Sequence, residues 1–182
     1  LLSFLQVAGA SVTGDMRRKC EVISSLDFLI STTDSEQFKS AISSHASFEK
    51  YEKKLSSDKI ELITDTEPAC IIHICTPSHF SMQLMVTTGN QSHIDELKLT
   101  HAGLFVTDQS FNSENEIYTA LGMDFIQPEL REGLGEIQMA KNKSLPELIQ
   151  LSDLKGCLHN HSTYSDGANT LREMAVACKN SG

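Results

Sequence analysis

Two histidines and an aspartate near the end of the sequence have the types and spacing of metal ligands. His159 and His161 lie one residue apart in GCLHNHSTYSDG, and Asp166 follows them. Alternate side chains of a strand point to the same face, so both imidazoles could bind one cation or two adjacent ones. Asp166 could reach the same position from its SDG turn. Nitrogen and oxygen ligands of this kind suit zinc or manganese.

The alternative to a metal site is a pair of surface histidines near a strand end. For an H-x-H pair by itself this alternative is the better interpretation, but the S-x-x-S-D-G continuation favours the metal site. The chain begins at Leu1 rather than at a methionine and ends at Gly182, soon after the three candidate ligands. We therefore expect it to be a segment of a longer protein.

Length and charge limit the classes of function. The chain has 182 residues, enough for one domain or two small ones, and its net charge is −9. Residues 87–140 carry two Lys or Arg against nine Asp or Glu. Because an acidic surface repels phosphate backbones, the composition gives no electrostatic signature of nucleic-acid binding. Simple solubility is the alternative explanation of the charge.

Cysteine usage and hydropathy predict the compartment. The five cysteines are odd in number and lie mostly in apolar runs, which is typical of buried thiols in a reducing compartment. No apolar run is long enough to span a membrane, and no signal peptide is visible. We predict a cytoplasmic protein without a membrane partner.

The first half of the sequence has the pattern of a small sheet with helices. A buried strand is predicted for LDFLIS, and a helix capped by Thr33 or Asp34 is predicted to follow it. Two β-branched runs then predict a strand pair, and Pro77 opens a second helix. The predicted ranges are strand 26–31, helix 33–55, strands 59–64 and 69–76, and helix 78–87.

The second half predicts shorter elements. Ser113 and Glu116 have the spacing of a capping box, and Gly122 could end that helix. The predicted ranges are helix 93–101, strand 104–108, a loop over 124–136, a linker with a helical turn or two over 141–156, a strand over 156–162 that carries the histidines, and a final helix over 168–182.

The segment CLHNHSTYSDG resembles the first motif of the PHP domain, which occurs in polymerases and in histidinol phosphatase. The resemblance implies a distorted β/α barrel with a metal cluster that hydrolyses phosphoesters. His159, His161 and Asp166 match the metal ligands of that motif. The other ligands of the family come from later strands, so the resemblance implies that residues 156–182 are only the first strand and helix of the domain.

The preceding segment is similar to the one that joins the polymerase and PHP domains in bacterial-type family X DNA polymerases. The family pattern is close to LG-x-x-x-I-x-PELRE-x-x-GE-x-x-A, followed by LP-x-LI and D-x-KG-x-LH. This sequence reads LGMDFIQPELREGLGEIQMA, then LPELI and DLKGCLH. Without this resemblance, PELRE would be interpreted as an ordinary charged loop.

The same resemblance implies that residues 1–86 are a polymerase palm, in which the family has G-S-x-R-R and, eleven residues after the glycine, D-x-D. Gly14, Arg17 and Arg18 match the nucleotide-binding motif, whereas Asp15 replaces its serine. The spacing places Ser25 at the first carboxylate position and Asp27 at the second. Only the second carboxylate is therefore kept.

Two further positions of the family palm are changed. The alignment places Ile71 at the third carboxylate, and residues 69–77 contain no Asp or Glu. The segment VTTGN corresponds to the aromatic YFTGS of the family, so Gly89 remains as a nucleotide-binding residue while both aromatic residues are missing.

These changes affect the cofactors and partners that the resemblance implies. Nucleotidyl transfer by two metals needs oxygen ligands that bridge two ions, and Asp27 alone cannot hold both. The Mg²⁺ or Mn²⁺ of the family palm is therefore in doubt, whereas a complete PHP domain would bind Zn²⁺ or Mn²⁺. DNA and a deoxynucleoside triphosphate are the implied partners, and Asp15 and the acidic region weaken that expectation.

The predicted fold class is α/β (α+β), with a nucleotidyltransferase-like palm built on a small mixed or antiparallel sheet. We divide the chain into a palm over 1–86, a thumb-like subdomain over 87–140, a linker over 141–155, and the truncated start of a PHP barrel over 156–182.

Three functions remain open. The first is a DNA repair polymerase whose palm centre is degenerate, and the second is a non-catalytic scaffold for a PHP phosphoesterase. The third is a DNA-binding module without catalysis, which the acidic region disfavours. Arg17 and Arg18 could contact phosphate or be a solvated pair, and Asp27 is more simply an orphan carboxylate than a metal ligand.

Overall fold

A computed structural model describes residues 7–65, 68–106, 109–156 and 158–181 of the chain. It divides into two compact units, Leu1–Leu145 and Pro146–Gly182, which we describe separately. The fold class is α/β, as predicted. Among the described residues, no helix is both long enough and apolar enough to cross a membrane.

A mixed sheet of five strands forms the first half of unit 1 in the described part of the chain. The order across the sheet is β1-β2-β5-β4-β3, with β2 and β5 parallel and the other neighbours antiparallel. The strands are β1 Val7–Val12, β2 Ser25–Thr32, β3 Glu52–Leu55, β4 Lys59–Ile63 and β5 Ala69–Cys75.

Within the described residues of unit 1, six α-helices lie between the strands or after them in sequence. They are α1 Gly14–Arg17, α2 Ser35–Ser44, α3 Phe80–Thr88, α4 Gln91–Thr100, α5 Glu114–Ala120 and α6 Glu136–Lys141. Short 3₁₀ turns cover Ala46–Phe48, Pro77–His79, Ala102–Val106 and Pro128–Leu130. Three helices begin with side-chain caps, since Asp34, Asn90 and Ser113 each accept a backbone N–H of the first turn.

Two apolar cores hold unit 1 together. The sheet packs against α2 through Phe38, Ile60, Leu62, Ile72 and Ile74. The second core joins α3 to the later helices through Met85, Ile94, Leu97, Ile117, Tyr118, Met123, Ile126, Ile137 and Ala140. Helix α3 therefore carries the chain from the sheet into the helical part of the unit.

The strands predicted at 26–31, 59–64 and 69–76 are confirmed, as is the helix that follows Pro77. The helix predicted over 33–55 is wrong beyond residue 44. His45 has an extended backbone, and Glu52–Leu55 pairs with β4 instead of continuing a helix. Phe48 and Tyr51 still pack on the sheet core, from positions outside the helix. Strand pairing with β4 therefore outweighed the helical spacing of the apolar residues in this segment.

The strand predicted at 104–108 is also wrong for the residues described there. Residues 104–106 lie in a 3₁₀ turn, and Thr107 and Asp108 lie outside the described residues. Leu104 and Phe105 pack on the second core from this turn. Strand β1 and helices α1 and α6 were not predicted from the sequence.

Unit 2 contains a 3₁₀ turn over Leu151–Asp153 and helix α7 over Leu171–Ser181. The helix confirms the prediction for the last residues. The strand predicted over 156–162 is wrong for residues 158–162, and Cys157 lies outside the described residues. His159 has a φ of +63°, which a strand does not allow, and unit 2 has no other described strand to pair with it.

Candidate functional site

The parallel pair of β2 and β5 brings the palm candidates together. Asp27 lies opposite Ile71, and Leu29 lies opposite His73. Ser25 and Asp27 share a face because they are two residues apart on one strand. The position aligned with a third carboxylate therefore lies directly beside Asp27, and it carries an aliphatic side chain.

Asp27 is almost buried and has partners of its own. Its Oδ2 accepts a hydrogen bond of 2.5 Å from the Ser25 hydroxyl, and its Oδ1 lies 3.5 Å from Nε2 of His73. Gly14 approaches the same carboxylate, since a Cβ built on it would lie 2.9 Å from Oδ2, and its φ is +60°. Only glycine fits there without moving the carboxylate.

The cluster of Ser25, Asp27 and His73, which we call the palm centre after the predicted palm, thus offers one carboxylate, one hydroxyl and one imidazole. No group of three or more His, Cys, Asp or Glu side chains suited to a metal occurs in residues 7–65, 68–106, 109–156 and 158–181. Ser25 and Ile71 supply no anionic oxygen. The donor set does not fit a pair of Mg²⁺ ions, which need several carboxylate oxygens.

Asp15 closes the loop between α1 and β2. Its Oδ2 accepts hydrogen bonds from the backbone N–H of Ser24 (2.9 Å) and from the Ser24 hydroxyl (2.6 Å), and Oδ1 pairs with Arg18 (2.7 Å). The Ser24 hydrogen bonds, with help from Arg18, lower the pKa of the Asp15 carboxyl. A negative charge is therefore held firmly where the family motif has a serine.

Arg17 binds a carboxylate instead of solvent. Its two terminal nitrogens contact Glu114 at 2.9 and 2.5 Å, and Nη1 also donates to the hydroxyl of Thr88 at 2.7 Å. Glu114 in turn accepts a 2.5 Å hydrogen bond from Arg131. Burial by itself would raise the pKa of Glu114, but the two guanidinium groups lower it.

Arg131 lies at the centre of this cluster and is fully buried. Its Nε donates to the carbonyl oxygen of Ile126 at 3.0 Å, and its guanidinium lies 5.2 and 5.4 Å from the ring centroids of Tyr118 and Phe125. Two arginines and one carboxylate therefore join α1, α5 and the PELRE segment.

Arg18 makes a second link between α1 and the PELRE segment. It donates to Glu132 at 2.7 Å, to the carbonyl oxygen of Thr88 at 2.7 Å, and to Asp15. Asn90 also binds Glu132, at 3.0 Å through its side-chain amide. Both arginines of the predicted nucleotide-binding motif are thus engaged by acidic residues, so they are not the solvated pair that the sequence left open.

A buried histidine anchors the helices beyond PELRE. Nδ1 of His93 donates to Glu136 at 2.6 Å, and Nε2 lies 3.2 Å from the hydroxyl of Tyr118. Burial lowers the pKa of His93, against the opposing effect of Glu136. Glu136 also accepts the backbone N–H groups of Gly133 and Leu134 at 2.8 and 2.7 Å, and its pKa is lowered although burial alone would raise it.

Gly89 has a packing role in the structure. It ends α3 with a φ of −64°, and a Cβ built on it would lie 2.8 Å from His93 and 3.0 Å from Ile94. Any side chain at this position would force the side chains of His93 and Ile94 to shift. Close packing against α4 is thus sufficient to explain why a glycine occupies this position.

The candidate metal ligands of unit 2 lie near one another. The ring centroids of His159 and His161 are 4.9 Å apart, and Nδ1 of His161 lies 2.5 Å from the carboxylate of Asp166. The SDG turn brings Asp166 back to His161, as the sequence suggested, although the histidines do not lie on a strand.

Sequence reasoning missed three contributors to these clusters. His73 was not considered, although it follows Ile71 by two residues and so shares its face of β5. Glu114 and Arg131 carried no separate signal, because an acidic residue in a first helical turn and an arginine in a charged loop are both common. The contact between them appears only when the chain has folded.

Comparison with known proteins agrees with this architecture. The family model of the DNA polymerase beta thumb matches residues 83–132. The chain is also 28% identical over 197 aligned positions to a protein of Bacillus subtilis (strain 168) named DNA polymerase/3'-5' exonuclease PolX. The resemblance to the family X DNA polymerases is confirmed.

The alignment with PolX covers 100% of this chain but 34% of the relative, so the chain spans about a third of the length of the protein it matches. The thumb match begins inside α3 and ends at the last residue of PELRE, Glu132. It therefore covers α4, α5 with the Glu114 that binds Arg17, and PELRE with the Glu132 that binds Arg18. It leaves Ser25, Asp27 and His73 on β2 and β5 outside.

Proposed function

We propose that this chain is the palm and thumb portion of a family X-type protein whose palm does not catalyse nucleotidyl transfer. The supporting observation is the pairing of Asp27 with Ile71 across β2 and β5. At this place two metals would need a second carboxylate, and the side chain there is apolar. Ser25, two residues before Asp27, adds a hydroxyl instead of the first carboxylate.

The contacts of Asp27 support the same proposal. Its two oxygens face Ser25 and His73, so the carboxylate already has polar partners without a cation. A Mg²⁺ ion would have to displace the Ser25 hydroxyl and would gain only one protein carboxylate. Since Mg²⁺ gives up its water reluctantly, this site is a poor one for it.

The contacts of the predicted nucleotide-binding motif also support the proposal. Asp15 places a carboxylate beside Arg18, and Glu114 and Glu132 engage the guanidinium groups that would otherwise meet phosphate. An incoming triphosphate would need to compete with carboxylates that are already in place. DNA and deoxynucleoside triphosphates therefore remain partners by resemblance alone.

The role that remains is a structural one. In this proposal the palm, residues 1–86, and the thumb-like part, residues 87–140, form a non-catalytic scaffold that precedes a PHP phosphoesterase. His159, His161 and Asp166 would be the first ligands of its Zn²⁺ or Mn²⁺ cluster, and a complete domain would supply the others. We also propose that the protein is cytoplasmic and that the domain boundaries are those given by the sequence.

The test is gap-filling DNA synthesis by the chain, with Mg²⁺ and then with Mn²⁺. We expect extension at background and no change on Asp27→Ala. Losing two of three carboxylates should cost several factors of ten in rate, each worth about 1.4 kcal/mol of transition-state stabilisation. Extension that disappears on Asp27→Ala would overturn the proposal, because carboxylates not identified here would have to complete the centre.

A further inference from the structure

Unit 1 has a cavity of about 420 Å³ at the far end of β2 from Asp27. It lies among β1, β2, the start of α3 and the segment that leads into α5. Ser31 on its wall is four residues beyond Asp27 on the same strand, a distance of roughly 13 Å. The cavity is therefore separate from the palm centre, and its volume is within the range of small-molecule sites.

Two serine hydroxyls on the wall lack good partners within the protein. Ser81 is 7% exposed, and its hydroxyl makes no hydrogen bond to any residue that the structure describes. Ser31 is 1% exposed and has only a long contact of 3.4 Å to the carbonyl oxygen of Gly9. Both hydroxyls are therefore available to a polar group that enters the cavity.

The rest of the wall determines what that partner could be. Phe80 and Phe111 contribute aromatic surface, Ser110 and Asn112 add polar groups, and none of the described lining residues is charged. An ion would lack a counter-charge here. Aromatic rings with neutral donors and acceptors suit a flat heterocycle, which stacks on the rings while its edge takes the hydrogen bonds.

We propose that this cavity binds a neutral nucleobase, with Ser31 and Ser81 hydrogen-bonded to its edge and with Phe80 or Phe111 against its face. The base could belong to a free nucleoside or to an unpaired nucleotide of a strand. The proposal does not depend on catalysis at Asp27, because no palm-centre residue lines the cavity.

The test is a titration of the ¹⁵N-labelled chain with adenosine, followed by amide chemical shifts. We expect saturable shifts at Gly9, Phe80 and Ser81, the same shifts in Asp27→Ala, and binding at least about tenfold weaker in Ser81→Leu, which fills the cavity. Ser40→Leu, on the exposed face of α2, is the matched control and should bind as the parent does. Ser81→Ala replaces Ser81→Leu if the larger side chain prevents folding, and it should also weaken binding.

Two other probes decide between ligands. If a short single-stranded oligonucleotide shifts the same amides, the natural ligand is an unpaired nucleotide of a strand. If only adenosine shifts them, the natural ligand is a free nucleoside. Either result supports the site. Inorganic phosphate shifting these amides while adenosine does not would overturn the proposal. Equal adenosine binding by the parent and by both Ser81 variants would overturn it as well, as would no shift in the folded parent.

Discussion

The palm centre and the cluster around Glu114 both contain a nearly buried carboxylate, and they differ in what surrounds it. Glu114 is held by Arg17 and Arg131, two permanent cations that both hydrogen-bond to its carboxylate. Asp27 has a serine hydroxyl and an imidazole at 3.5 Å. One carboxylate is a member of an ion network, and the other has no permanent cation beside it.

The difference shows which carboxylate the fold itself requires. The network of Glu114 and PELRE joins α1, α5 and the following loop, so each member has a role even when no nucleotide is present. Carboxylates at the palm positions would repel one another unless metal ions were bound. If catalysis is absent, replacing them with Ser25 and Ile71 relieves that repulsion, whereas replacing Glu114 would leave two arginines unpaired.

The largest expected effect is on the stability of Glu114→Gln. Removing the charge from a buried ion pair leaves the partner cations uncompensated, so we expect a loss of about 3–5 kcal/mol in the free energy of unfolding. Urea denaturation measures it. Glu116→Gln is the matched control on the exposed side of α5, where its partner is Asn112, and it should cost less than about 1 kcal/mol. Equal losses in the two variants would contradict the network.

Acid should destabilise the protein through His93. Its pKa is lowered by burial, so the unfolded chain binds a proton more readily, and the free energy of unfolding should fall as the pH drops through about 6.5. The slope from one such group is at most about 1.4 kcal/mol per pH unit. Glu114 and Glu136 also have lowered pKa values, so a further loss should follow below about pH 4.5.

Variants identify the histidine responsible. His93→Gln should flatten the dependence of unfolding free energy on pH between about 5 and 7, at a lower overall stability. A pH profile that is unchanged in His93→Gln would show that another group titrates.

A smaller effect is expected from the same chemical change in the palm. Asp27→Asn keeps an acceptor for Ser25 and removes a charge that has no permanent cation beside it. We expect a change in unfolding free energy within about 1 kcal/mol of zero, measured under the conditions used for Glu114→Gln. A loss as large as that of Glu114→Gln would erase the distinction between the two regions.

The smallest effect is expected for zinc at residues 159–166. His161 already pairs with Asp166, and in the described part of the chain His159, His161 and Asp166 are not arranged as a group that could hold a metal ion. Without further ligands and the contacts that orient them, zinc should bind only weakly to this chain. Calorimetric titration that gives one tight zinc per chain, lost in His161→Ala, would be the opposite result.

The sequence was most informative where local chemistry determined the structure. The β-branched runs at β4 and β5, the caps at Asp34 and Ser113, and the spacing from Gly14 to Asp27 could all be recognised. Residues 52–55 could not, because four residues rich in lysine and glutamate become a strand only by pairing with β4. The ion network was equally hidden, since Arg17 and Glu114 are far apart in the sequence and meet only in the folded chain.

The central claim is that the palm centre does not hold the metal ions of nucleotidyl transfer, and Mn²⁺ binding followed by electron paramagnetic resonance tests it directly. We predict that the parent chain shows no tight Mn²⁺ site that Asp27→Ala removes. The double variant Ser25→Asp with Ile71→Asp restores carboxylates at both changed positions, so it should gain Mn²⁺ binding that depends on Asp27. A tight Mn²⁺ site in the parent chain that disappears on Asp27→Ala would contradict the account.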